Sequence, residues 1–147
     1  MEKLSIYIHI PFCKKKCKYC DFISFSKNDQ MQERYVKSLI QEIKNQRFKN
    51  ESKQRKISTI YIGGGTPSYI NSKYILEILK TIRDNFVLED NIEITIEVNP
   101  GTVNKEKLID YKKAGINRIS IGLQTCNDNL LKQCLYEKDI VEVSRNN

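Results

Sequence analysis

An α/β fold built on a parallel sheet is predicted by two observations. The apolar residues alternate between two spacings: short β-rich runs, then longer segments in which apolar residues recur every three to four positions. The chemically unusual motifs each follow directly on one of the short runs, and in parallel α/β folds ligands gather at the C-terminal ends of the strands. The chain has 147 residues, one domain's worth.

The elements follow in order. A first strand is read at residues 4–8 (LSIYI), closed by Pro11; Tyr35, Leu39, Ile40 and Ile43 then mark a helix. Residues 58–62 (STIYI) form a second strand that runs into Gly63-Gly64-Gly65. The helix after it carries Ile75, Leu76, Leu79, Ile82 and Phe86, with Asn71 or Ser72 as N-cap. Residues 92–98 (IEITIEV) make a third strand, stopped by Asn99-Pro100-Gly101. A third helix follows over Leu108, Tyr111 and Ala114, capped by Thr102 or Asn104 and ended by Gly115. Residues 118–121 (RISI), closed by Gly122, give the fourth strand. Four strand–helix units joined by crossovers pack as a parallel sheet or barrel.

Composition narrows the function. Lys plus Arg number 25 against 18 Asp plus Glu, a formal charge of +7, but the lysines are scattered among acids and Trp is absent. A nucleic-acid binder would show a basic stripe with exposed aromatics, so the charge is read as solubility. Residues 44–56, with six basic residues and one acid, read as a solvated helix exit and linker. No apolar run is long enough to span a membrane and no signal segment opens the chain, so the expected location is cytoplasmic.

Five cysteines is an odd number, and Cys13, Cys17 and Cys20 fall within eight residues, as C-x3-C-x2-C after a strand and a proline. Thiolates so spaced can all face one inorganic cluster, and three leave one iron of a [4Fe–4S] cube open to a small molecule. A structural zinc site would want a fourth ligand, and His9, the only histidine, lies within the strand. A redox thiol pair is the other alternative. Cys126 and Cys134 receive no role.

Other residues carry less on their own. Gly63-Gly64-Gly65-Thr66-Pro67 lacks the Gly-Lys-Ser/Thr of a phosphate loop and the G-x-G-x-x-G spacing, which leaves a plain turn or a close ligand approach. Glu97 shares a face with Thr95 and Asn99, as an exposed edge carboxylate or one with a partner. Gln124 is uninformative alone, Tyr7 reads as core, and Tyr19 as a loop aromatic.

The cysteine spacing resembles the radical S-adenosylmethionine (SAM) superfamily. The wider string Tyr7-Ile8-His9-Ile10-Pro11-Phe12-Cys13, then Cys20-Asp21-Phe22, resembles the family of oxygen-independent coproporphyrinogen III oxidase and the haem chaperone HemW. The resemblance runs from about Leu4 to Leu131. It implies a partial (β/α) barrel with a [4Fe–4S] cluster on Cys13, Cys17 and Cys20. It also implies SAM held by Tyr7, Tyr19, Gly64, Gly65, Thr66, Glu97 and Gln124. In the oxidase branch SAM cleavage drives vinyl formation from porphyrinogen propionates; the chaperone branch binds haem. The oxidase branch has a fourth cysteine two residues after the third, where this chain has Phe22, which favours the chaperone branch. Lys14, Lys15, Lys16 and Lys18 in the cluster loop suggest an acidic electron donor such as a flavodoxin.

The resemblance also sets expectations about extent. Residues 1–131 are read as the N-terminal part of the radical SAM core and 132–147 as a divergent tail, with Tyr136 where the family has a SAM-binding arginine. Four of the family's six strand–helix units are present, and its C-terminal domain is not. A truncated, poorly stable and catalytically inactive remnant is therefore a third expectation.

Overall fold

The computed structural model describes residues 3–26, 29–50 and 56–134. Tyr136 and the rest of the expected divergent tail from 135 onward lie outside the described residues.

Four strands, β1 (Lys3–Ile10), β4 (Lys56–Gly64), β5 (Leu88–Val98) and β6 (Arg118–Ile121), form one sheet in the order β1-β4-β5-β6, parallel throughout. Two more strands, β2 (Phe12–Cys13) and β3 (Phe25–Ser26), pair with each other just beyond the end of β1. The helices α1 (Gln32–Asn50), α2 (Ser72–Asn85) and α3 (Lys105–Lys113) lie between the sheet strands, and α4 (Asp128–Cys134) follows β6. The strand order is sequential, as in a barrel wall, and never doubles back as a dinucleotide-binding sheet does. Helix α1 packs against α2 and α2 against α3, so all three cover one face.

Alternation divides the sheet. Ile8, Ile10, Ile60, Ile62, Ile94, Ile96 and Val98 point to the helices and are buried. They meet Val36, Ile40 and Ile43 of α1, Ile75, Ile78, Leu79 and Ile82 of α2, and Tyr111 of α3. Each such side chain contributes about 1.5–3 kcal/mol, which makes this layer the main source of stability. The opposite face is polar: Ser5, Tyr7 and His9, then Thr59 and Tyr61, then Glu93, Thr95 and Glu97, then Arg118 and Ser120. The strand register sets His9, Gly63, Glu97 and Ser120 side by side in one row, and Tyr7, Tyr61, Thr95 and Arg118 in the next.

Local chemistry places the boundaries. The Asn71 side chain accepts from Lys73 N at 3.0 Å and caps α2, and Asn104 accepts from Lys107 N at 2.9 Å to cap α3. Gly115 ends α3 at φ 85, a value that suits glycine. Phe86, expected within the second helix, is its C-cap in extended conformation. Helix α1 continues to Asn50, through a stretch expected to be helix exit and linker. Glu97 does not lie on an edge strand, because β5 is flanked by β4 and β6; the exposed-edge reading is thereby corrected. Tyr7 is not core: it points to the polar face and is 60% exposed. Among the described residues, no helix is long and apolar enough to cross a membrane.

Candidate cofactor site at the strand C-termini

The three cysteines occupy a loop tied at both ends. The β2–β3 pair closes it, Phe25 N donates to Pro11 O at 2.7 Å, and Cys20 N donates to Cys17 O at 3.2 Å inside it. Lys16 Nζ donates to Phe22 O at 3.2 Å. His9 Nε2 lies 2.9 Å from Ile23 O, and since a carbonyl only accepts, this nitrogen carries the proton. His9 Nδ1 then accepts from the Tyr7 hydroxyl at 3.1 Å. Both ring nitrogens are engaged, so His9 straps the loop to β1 and is not a fourth metal ligand.

The loop after β4 is folded against the first cysteine. Gly65 N donates to Ile10 O at 2.9 Å and Thr66 N to Phe12 O at 2.8 Å, while Thr66 Oγ1 lies 3.5 Å from Cys13 Sγ. A Cβ on Gly65 would sit 2.8 Å from Cys13 Sγ and 3.0 Å from Phe12 O, so only glycine fits. Gly64 has φ 118 and its amide points to Glu97 Oε2 at 3.3 Å.

A single cleft collects the site. Its walls include Cys13, Cys17, Cys20, Tyr19 and Phe22 from the cysteine loop, Gly64, Gly65 and Thr66 from the β4 loop, Glu97 from β5, and Gln124 after β6. Gln124 has φ 65, the left-handed region unfavourable to a non-glycine residue, a kind of strain that collects at functional sites. Tyr7 is the one expected residue outside this lining. It stands one row below on the polar face, stacked on Tyr61 at 6.1 Å between centroids.

Glu97 is held from two sides. The Tyr61 hydroxyl donates to Oε1 at 2.6 Å and Gly64 N to Oε2. The hydrogen bond to Glu97, with burial second, pushes the Tyr61 phenol pKa up; burial first and the Glu97 charge second do the same to Tyr7.

Three contributors were not singled out from the sequence. Asn99 donates from Nδ2 to Thr66 Oγ1 at 3.2 Å, and its backbone N donates to Ser68 Oγ at 3.2 Å. In the sequence it reads as part of a strand-ending turn on the same face as Glu97, with no role of its own. Tyr61 gave no signal beyond β propensity. Lys107 Nζ donates to Ser68 O at 2.6 Å, Ile70 O at 3.1 Å and Thr102 O at 3.2 Å, clamping the glycine loop to the Asn-Pro-Gly loop. Burial lowers its pKa. Nothing separates it in sequence from the other cations.

A matching family profile, described as the Radical SAM superfamily, covers residues 7–145. The chain belongs to the radical SAM superfamily. This radical SAM chain is 49% identical over 136 residues to "Heme chaperone HemW" of Haemophilus influenzae, covering 90% of this chain and 36% of that protein. It is 42% identical over 134 residues to "Heme chaperone HemW" of Escherichia coli, covering 90% and 35%. The structure titled "Coproporphyrinogen III oxidase (HemN) from Escherichia coli is a Radical SAM enzyme" matches with TM-score 0.80 at 34% identity. That match covers 92% of this chain and 32% of the other. The radical SAM chain therefore spans about a third of the length of these relatives.

The donor set suits an iron–sulfur cluster. Thiolates favour soft metals and clusters. Among the described residues, no three His, Cys, Asp or Glu side chains form a group that could hold one metal ion. In a cube each thiolate holds a different iron, so the three sulfurs need not meet at one point.

Proposed function

We propose that this chain is the cluster- and SAM-binding portion of a HemW-type haem chaperone. Cys13, Cys17 and Cys20 would hold a [4Fe–4S] cluster. Gly64, Gly65 and Thr66 would pass their backbone beside the methionine end of SAM, Glu97 would accept from its ammonium, and Gln124, Tyr19 and Tyr7 would line its path. The observation that carries this reading is the convergence of all but Tyr7 on one cleft at the C-terminal ends of parallel strands.

The cluster and SAM together supply one-electron cleavage of a carbon–sulfur bond of the sulfonium. The chain's own part is geometric. The β2–β3 pair and His9 keep the cysteine loop in place, Gly65 gives Cys13 room, and Tyr61 with Gly64 N aims the Glu97 carboxylate.

The chaperone branch is favoured over the coproporphyrinogen oxidase branch by Phe22, which stands where the oxidase has a fourth cysteine and lines the cleft. Spectral titration with haem and an anaerobic assay with coproporphyrinogen separate the two. Haem binding without vinyl-porphyrin product supports the proposal; product formation contradicts it.

An acidic electron donor such as a flavodoxin fits the lysines at positions 14, 15, 16 and 18. Steering of this kind is screened within about 10 Å at 0.1 M salt. Cluster reduction by flavodoxin should therefore slow as salt rises, and a salt-independent rate would reject this partner.

A further inference from the structure

Glu97 could reach a ligand in several rotamers, yet one is selected from outside the cleft. Tyr61 projects from β4 onto the polar face and closes a 2.6 Å hydrogen bond on Glu97 Oε1 across the strand boundary. The contact passes over Gly63, where a Cβ would stand 2.9 Å from Tyr61 Cε1 and 3.1 Å from Glu97 Oε2. The first of the three glycines thus serves this pair, while the next two face His9 and Cys13.

The chain of contacts continues away from Glu97. Tyr61 stacks on Tyr7 at 21° between planes, the Tyr7 hydroxyl meets His9 Nδ1, and His9 Nε2 donates to Ile23 O in the cysteine loop. One chain of side-chain contacts, crossing between the two rows, therefore runs over β5, β4 and β1, from the carboxylate to the segment that follows Cys20.

We propose that Tyr61 is a positioning residue for Glu97, orienting the carboxylate toward a cationic amino group of the ligand and linking that orientation through Tyr7 and His9 to the cysteine loop. This rests on the reading of Glu97 as a SAM contact. Oε1 is occupied by the phenol and Oε2 by the Gly64 amide, so the direction of the carboxylate's open lone pairs is fixed in part by Tyr61, which lies outside the cleft lining. Loss of the hydroxyl leaves the carboxylate held by the Gly64 amide alone and weakens ammonium binding, but leaves any ligand without an ammonium untouched.

The test measures equilibrium binding to anaerobically reconstituted protein, with SAM and with 5′-methylthioadenosine, which lacks the amino-acid end. Wild type, Tyr61→Phe, Glu97→Gln and the double variant are compared, with iron content recorded for each. Tyr61→Phe should weaken SAM about ten-fold, the scale of one hydrogen bond to a charged group, with unchanged methylthioadenosine binding. In Glu97→Gln the further loss of the hydroxyl should cost far less, because the carboxylate it aims is gone. Equal SAM binding by Tyr61→Phe and wild type, with Glu97→Gln impaired, overturns the proposal and leaves the Glu97 reading standing. Parallel loss of both ligands in Tyr61→Phe shows a merely structural role and also overturns it. If Glu97→Gln binds SAM as wild type does, the Glu97 reading fails and the proposal with it.

Discussion

Cys13 and Thr66 are packed against one another: Thr66 Oγ1 lies 3.5 Å from Cys13 Sγ, and Thr66 N donates to Phe12 O at 2.8 Å. The first thiol and the glycine loop are therefore one unit, although 53 residues separate them. The neighbouring contacts give that unit little slack. Asn99 donates to the same Thr66 hydroxyl, and Lys107 holds the backbone just beyond it.

Gly65→Ala should damage the site through Cys13. The added methyl meets Sγ at 2.8 Å and the Phe12 backbone at 3.0–3.1 Å, and backbone cannot swing aside as a side-chain tip can. Overpacking of this kind costs about 1–3 kcal/mol. Thermal melting should show that loss, and iron bound after reconstitution should fall with it; unchanged iron content would argue against the contact.

Lys107→Met should destabilise the fold without touching the cysteines. The substitution keeps the apolar stem but leaves three carbonyls without their cation. Unpaired, partly buried acceptors of this kind cost about 2 kcal/mol together, or roughly 4–8 °C in Tm. A melting curve superimposable on wild type would show that water replaces the ammonium at no cost.

Tyr69 ties the glycine loop to the segment after the cysteines through a 2.7 Å hydrogen bond to Asp29. Burial, then the Asp29 hydrogen bond and charge, raise its phenol from 10.0 to about 12. The native state keeps this proton where the unfolded chain releases it. The contribution is therefore complete below pH 10 and is lost between pH 10 and about 12. Tyr69→Phe should flatten the fall of stability with pH in that window. The slope should not vanish, since burial and the Asp110 charge raise Tyr111 to about 12 as well. Denaturant midpoints measured across the window decide this; an unchanged slope contradicts it.

The sheet was legible in the sequence because its helix-facing residues are nearly all isoleucine and its breakers are unambiguous. Gly115 announced its helix end by residue type, while at the two N-caps the sequence offered Asn71 or Ser72 and Thr102 or Asn104, and the asparagine caps in each case. Boundaries were harder where pairing extends past the apolar pattern. β5 begins at Leu88, four residues before its alternation becomes visible, because Leu88 pairs with Ile57 across a register shift. The β2–β3 pair is two residues per strand, too short to leave a pattern.

Tyr7 misled for a physical reason. A tyrosine in an isoleucine-rich strand reads as core, but alternation sets it on the polar face beside Tyr61, where its hydroxyl serves His9. At the candidate site, residue types that can only do chemistry were visible, the three thiols above all. Residues that act by aiming others, Tyr61, Asn99 and Lys107, were not, because the hydrogen bonds that give them their roles run, Thr102 apart, to partners 31–39 positions away along the chain.

The measurement that bears most directly on the central claim is iron and acid-labile sulfide analysis, with an absorption spectrum, of protein reconstituted without oxygen. Wild type should turn brown and bind about four irons and four sulfides per chain, and alanine at Cys13, Cys17 or Cys20 should abolish this. A colourless protein that takes up one zinc per chain instead would contradict the account.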